Sequence, residues 1–370
     1  MMRSIVVVLL LASIGRAQGP IDPKISLERL KEIVREARNK HKVPALAAAV
    51  VTSKGIHAMT WLGVRKNGAT VEVTADDRWH LGSDTKAFTA TLLAVLAEQG
   101  KIDMNATLPS VLPKLGATIS ADYKEITLSQ VLRHRSGLPK DLANWWVIPT
   151  TGRLHDQRLQ AIRRGLAMKP VAKPGMAYSY SNMNYVIAGA VAEEAGGAAW
   201  EDLIARHVLQ PLGITSYGFG PPGKLGKMDQ PLAHDKKGLP AEPTLKNDNP
   251  PVMGPSARLH LSLKDWAKFA QDQLKGARGE GKLLKPEGYK RLHSVEPGET
   301  YTPGGWITET SPGFLLLTHD GSNGGYYCSA ALMPTLDIAV LVVCNQGPTA
   351  GESACRQAMV ETIKATLTGK

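Results

Sequence analysis

Two apolar runs, Pro44 to Thr52 and Ile56 to Leu62, are separated only by Ser53-Lys54-Gly55. Three residues ending in glycine permit a tight reversal, so the pair predicts an antiparallel hairpin. The pattern returns near the other end. Trp306 to Thr308, Phe314 to Thr318, Tyr326 to Met333 and Ile338 to Cys344 read as strands, with Pro334 to Asp337 as a turn. Strands joined this closely argue against a parallel doubly wound sheet, which needs a crossover helix between most strands.

Helical periodicity fills most of the remainder. Ile25 to Asn39 carries an apolar stripe with Ser26 near its start, and Ala87 to Glu98 is closed by Gly100. Leu128 to His134, Leu154 to Met168, Asn184 to Ala195, Trp200 to Val208 and Leu263 to Leu274 follow, and Ser353 to Leu367 forms a last helix. A third early strand is expected at Val71 to Thr74, and Leu209 to Arg258, rich in Gly, Pro and Lys, is expected to run largely as surface loop. The expected fold class is therefore α/β (α+β): an antiparallel sheet built from both ends of the chain, flanked by helices, with a large and mostly helical insertion. In residue terms, 24–95 plus 255–368 would form the sheet domain and 96–254 the helical one.

Residues 1–17 read as a signal peptide, with Arg3, the apolar run Ile5 to Ile14, and small residues around Gly15-Arg16-Ala17. The run is too short to span a bilayer, so a periplasmic or secreted protein without an integral membrane segment is expected. Removing Arg3 and Arg16 lowers the formal charge from +11 to +9. Such a charge favours association with an anionic cell wall. The basic clusters Arg29 to Lys42 and Lys224 to Lys227 are short and lack interleaved aromatics, so nucleic acid is not an expected partner. Cys328, Cys344 and Cys355 do not make a disulfide framework. A Cys328–Cys344 bridge stays open, with buried free thiols the favoured reading. The histidines show no metal-ligand spacing, and no metal or cofactor is expected.

The chemistry-bearing residues lie in three short segments. Trp79-His80-Leu81-Gly82-Ser83-Asp84-Thr85-Lys86 puts a serine at the start of a helix with a lysine one turn on, sharing a face. A helix start offers a free backbone N–H, and its positive end favours a neutral lysine that can accept a proton from Ser83. Taken alone, the pair reads better as an N-capping serine followed by a solvated lysine, and two further segments reverse that reading. Tyr178-Ser179-Tyr180-Ser181-Asn182, after Pro174-Gly175, sets a phenol and an amide on a tight connection. Thr318-His319-Asp320-Gly321-Ser322 ends a strand, where Gly321 permits close approach and Ser322 can supply a second N–H for an oxyanion. Of the adjacent Trp145 and Trp146, one is a candidate for lining the cleft. A G-x-S-x-G elbow is lacking, so an α/β-hydrolase would be without its usual signature.

Ser83-x-x-Lys86, Tyr180-x-Asn182 and His319-Asp320-Gly321 in this order resemble the motifs of the serine β-lactamase and penicillin-binding protein superfamily. Specifically, they are similar to its class C-like branch, which includes family VIII esterases and D-amino-peptidases. Ile126 to Pro139, Ser262 to Leu274 and Gly324 to Pro334 extend the resemblance over roughly residues 25–365. The resemblance implies a secreted serine hydrolase working through a Ser83 acyl-enzyme on an ester or amide, a small molecule or short peptide. In it Lys86 takes or relays the serine proton, and Tyr180 is base and then acid. Asn182 holds Lys86, and the N–H groups of Ser83 and Ser322 form the oxyanion hole. His319 replaces a lysine and would support positive field near Tyr180 only when protonated. Asp320 stands where a small hydroxyl residue is common, and would repel an incoming carboxylate. That repulsion disfavours the alternatives of a class C-like β-lactamase or a D-alanyl-D-alanine carboxypeptidase. A non-catalytic envelope binding protein is the remaining class.

Overall fold

The computed structural model describes residues 19–311 and 314–369, so the expected signal segment 1–17 lies outside the described residues. Helix α1 (Leu27–His41) starts where Ser26 Oγ accepts the Arg29 N–H at 3.1 Å, and it buries Leu30, Ile33, Val34 and Ala37. Strands β1 (Ala45–Thr52) and β2 (Gly55–Gly63) form the predicted hairpin. Chain then runs through helices α2 (Thr85–Glu98), α3 (Leu154–Leu166), α4 (Asn182–Gly196) and α5 (Leu263–Ala277). It returns as β3 (Ile307–Ser311), β4 (Phe314–Ser322), β5 (Tyr327–Met333) and β6 (Ile338–Cys344), and closes with α6 (Ala350–Thr368).

These six strands make one antiparallel sheet in the order β2-β1-β6-β5-β4-β3. The two ends of the chain meet at its centre, with Leu46 opposite Cys344. Helices cover both faces there: α1 and α6 pack on one side, α2 and α5 on the other. This double cover explains why β1 and β6 are apolar almost throughout instead of alternating. Between the ends, α4 is buried nearly all round, and the buried Arg158 of α3 is clamped by Glu193 and Glu201. The expected architecture of an antiparallel sheet flanked by helices, with a large helical insertion, is thus the observed one.

Two expectations change, and one open alternative closes. Val71–Thr74 is not a strand; only Val64 and Glu72 form a single bridge. The short strand Arg78–His80 takes the edge instead, in a small sheet with Leu259–Ser262 and Gly218–Phe219. That pairing also gives the stretch expected as surface loop some structure. A Cys328–Cys344 bridge is ruled out by register: Cys328 is opposite Val343, so the two thiols sit on opposite faces of the sheet. All three cysteines are free and buried.

Candidate active site

Leu81 N–H bonds the Leu259 carbonyl at 2.9 Å, which delivers the chain from the small sheet into a turn, Gly82–Asp84, and then α2. Two glycines bring this turn against β4. Gly82 has φ +48°, and a Cβ there would lie 2.3 Å from the Ser322 nitrogen. A Cβ on Gly321 would lie 1.9 Å from the Leu81 carbonyl oxygen. Side chains at either position would force the two backbones apart.

At Ser83 Oγ its own segment meets the one that carries Tyr180. Lys86 Nζ lies 3.1 Å from it, and the Tyr180 phenol donates to it at 2.8 Å. Lys86 is completely buried, and its Nζ also donates to Asn182 Oδ1 at 2.8 Å and to the Ser256 carbonyl at 3.0 Å. The Asn182 amide is oriented by its other end, which donates to Asp141 Oδ1 at 2.9 Å. Burial lowers the Lys86 pKa to about 7, against the opposing pull of the Asp141 and Asp84 carboxylates. Burial also pushes the Tyr180 phenol up, keeping its proton on.

Behind Tyr180 stands a buried aromatic group. His134 lies 4.4 Å from the Tyr180 ring, centroid to centroid, and 4.6 Å from that of Tyr301. Its Nδ1 accepts the Ser181 N–H at 3.1 Å, fixing the connection that carries Tyr180 and Asn182. His134 has φ +56°, a conformation seldom adopted by a residue with a side chain.

On β4, strand alternation separates the motif residues. His319 faces the Gly82–Asp84 turn: its Nδ1 lies 3.4 Å from Asp84 Oδ1 and 2.8 Å from the Asp320 carbonyl, and its Nε2 lies 3.2 Å from the Tyr301 hydroxyl. The expected support of Tyr180 by a free His319 charge is therefore revised, because the imidazole is turned toward a carboxylate. Asp320 points to the other face, beside α6, where its carboxylate accepts the Ser329 hydroxyl at 2.6 Å. Its expected repulsion of an incoming carboxylate is corrected accordingly. Ser322 Oγ donates to the Tyr326 carbonyl at 2.7 Å, so its side chain closes the turn into β5 while its backbone meets Gly82.

Trp145 is buried and donates its indole N–H to Asp141 Oδ1 at 2.9 Å, so it reaches the site through Asp141, while Trp146 is half-exposed. Asp84, Asp141, Ser256 and Tyr301 were not singled out in the sequence. Of these, Asp84 lies inside the Trp79–Lys86 segment. Among the described residues no cluster of His, Cys, Asp and Glu is arranged to hold a metal ion, and no helix is long and apolar enough to cross a membrane.

The Beta-lactamase family model matches residues 30–363. Unguisins hydrolase ungD' of Aspergillus campestris is 27% identical over 338 residues, covering 85% of this chain and 60% of that protein. The chain spans 60–63% of the length of the first curated relatives it matches. Among solved structures, the octameric penicillin-binding protein homologue from Pyrococcus abyssi superposes with a TM-score of 0.75 at 22% identity, over 94% of this chain and 78% of that one. A class C beta lactamase from Rhodobacter sphaeroides gives 0.74 at 18% identity, over 90% and 98%. These structures share the fold. Since the family match runs from α1 into α6 and takes in all three motifs, the chain belongs to the beta-lactamase family, within the superfamily that also holds the penicillin-binding proteins and the class C-like enzymes.

Proposed function

We propose that this protein is a serine hydrolase that cleaves ester or amide bonds of small molecules or short peptides through a Ser83 acyl-enzyme. The observation that carries the reading is the pair of contacts on Ser83 Oγ, from Lys86 Nζ at 3.1 Å and from the Tyr180 hydroxyl at 2.8 Å.

A neutral lysine amine has two N–H groups and one lone pair. Asn182 Oδ1 and the Ser256 carbonyl are acceptors and use both N–H groups. The lone pair is left for the Ser83 proton, so Lys86 is the base for acylation. Tyr180, held as a phenol, gives its proton to the leaving group. The resulting phenolate lies beside the new ammonium, whose Nζ is 4.9 Å from the Tyr180 ring centroid. In deacylation the phenolate takes a proton from water, the hydroxide attacks the acyl carbon, and Lys86 returns its proton to Ser83. Backbone N–H groups of Ser83 and Ser322 receive the oxyanion at the seam between Gly82 and β4.

Mass spectrometry after reaction with a fluorophosphonate probe tests the nucleophile: the adduct belongs on Ser83 and is absent in Ser83→Ala. Silence of the folded protein at several pH values, with no turnover, would favour the envelope-binding alternative. Short aryl esters, a chromogenic cephalosporin and a D-alanyl-D-alanine peptide then separate the substrate classes. The β-lactamase or carboxypeptidase alternative gains from one observation, that Asp320 lies behind the sheet and does not repel a carboxylate in the cleft. Efficient cephalosporin or peptide turnover with poor ester cleavage would establish it. A signal peptide at 1–17 and a net basic chain support a periplasmic or secreted site of action with cell-wall association.

A further inference from the structure

His319 and Asp84 belong to different motifs, and each is a charged or chargeable residue buried to within a few per cent. Asp84 Oδ1 faces His319 Nδ1 at 3.4 Å, and Asp84 Oδ2 accepts from the Cys328 thiol at 2.9 Å. Nδ1 is flanked by two acceptors, Asp84 and the Asp320 carbonyl, so it carries the proton in the neutral ring. Nε2 then accepts the Tyr301 O–H at 3.2 Å. Both ring nitrogens are thus engaged away from Ser83. The other titratable groups facing the pair are Tyr180, Lys86, His134 and the Cys328 thiol, while the Asp320 side chain lies on the far side of β4.

We propose that Asp84 and His319 form one charge-compensated pair that leaves the β4 end of the cleft without a standing positive charge, so that the site selects acyl substrates bearing no carboxylate there. The inference rests on the hydrolase reading and names the substrate class within it. Its logic does not depend on where the shared proton sits. One proton on the imidazole or on the carboxyl gives a net charge of zero, and no proton gives a negative charge. Only the doubly protonated pair is positive, and it requires a carboxylic acid beside an imidazolium. An unpaired cation at this place would instead attract a substrate carboxylate across the low-dielectric cleft. The thiol fixes the arrangement, because its bond to Oδ2 keeps Oδ1 turned to the histidine.

The test is a ratio of kcat/KM values for two 4-nitrophenyl esters with the same leaving group, one with an acyl chain ending in a carboxylate and the other in its methyl ester. The wild type is expected to favour the neutral ester by about tenfold or more, because the carboxylate would have to leave water with no compensating charge. The double variant Asp84→Asn/His319→Lys installs an uncompensated cation, and should move the ratio about tenfold toward the carboxylate. His319→Lys alone keeps Asp84 as its partner and should move the ratio less than about threefold. The ratio cancels a general loss of activity, and the wild-type value needs no variant to fold. Equal turnover of the two esters by the wild type overturns the proposal. So does an unmoved ratio in a double variant that still labels at Ser83. Absence of any Ser83-dependent turnover of the neutral ester would instead overturn the hydrolase reading itself.

Discussion

Gly321→Ala tests the seam on which the proposed oxyanion hole depends. The added Cβ would lie 1.9 Å from the Leu81 carbonyl oxygen, 2.8 Å from Cys328 Sγ and 3.0 Å from the Leu81 carbonyl carbon. An ordinary carbon–oxygen contact is about 3.3 Å, so β4 and the nucleophile turn must separate by about 1.4 Å. Two of the three clashing atoms are backbone, and no rotamer change removes them. A hydrogen bond of about 2.9 Å lengthened by that amount is lost. One missing oxyanion donor costs about 3–4 kcal/mol of transition-state stabilisation, or about 10²–10³ in kcat. Strain on a packed interior adds about 1–3 kcal/mol of lost stability. Steady-state hydrolysis of a 4-nitrophenyl ester reads kcat and KM, and a thermal melt reads the stability. The expected outcome is a folded protein with a lower melting temperature, a collapsed kcat and a KM little changed. A variant within threefold of wild-type kcat would refute the seam as the site of oxyanion binding.

Tyr180→Phe should lower kcat/KM, which reports acylation, by about 10²–10⁴ for an alkyl ester and much less for a 4-nitrophenyl ester, because in that step only the poor leaving group needs the phenol proton; equal losses in kcat/KM would remove Tyr180 as the acid. The kcat/KM of a neutral ester should fall tenfold per pH unit below about 7, where Lys86 gains its proton. Asp141→Asn removes a charge that favours the ammonium, so this limb should move to lower pH; a static or alkaline-shifted limb contradicts the assignment. In the unfolded chain Lys86 returns from about 7 toward 10.5, so between those values the unfolded state holds the extra proton and stability rises with pH. Lys86→Met should therefore be more stable than wild type near pH 7, by a margin that shrinks toward pH 10 at no more than about 1.4 kcal/mol per unit, as followed by denaturant melts. A thiol reagent should label none of Cys328, Cys344 and Cys355 in the native protein and all three after unfolding.

The sequence was most readable where local pattern and tertiary role coincide. Ile338–Cys344 is uniformly apolar because both faces of β6 are covered, and its ends fall at the predicted residues. Arg78–His80 was invisible as a strand, since three residues carry no period and its partner, Leu259–Ser262, lies far along the chain. At the site, the spacing of Ser83 and Lys86 is a helical turn and could be read directly. Asp141 and Ser256 meet Asn182 and Lys86 only through long-range packing. The error over Asp320 has a different origin. The alternation of side chains in a strand, applied to His319-Asp320 itself, puts one toward Ser83 and the other behind the sheet.

The charge arrangement around Lys86 explains how an S-x-x-K pair can hold a neutral amine at all. Two carboxylates favour the ammonium, yet burial prevails and the pKa falls to about 7. It can prevail because neither carboxylate is the amine's hydrogen-bond partner. Asp141 accepts from the Asn182 amide and the Trp145 indole, while Asp84 accepts the Cys328 thiol at Oδ2 and turns Oδ1 to the His319 ring at 3.4 Å. Lys86 itself touches three neutral oxygens, those of Ser83, Asn182 and Ser256. A direct ion pair would have fixed the proton on Nζ and left Ser83 without a base. In the proposed mechanism, the residues that would make Ser83 reactive therefore include two acids that act by being bound elsewhere, one of them, Asp84, immediately beside the serine.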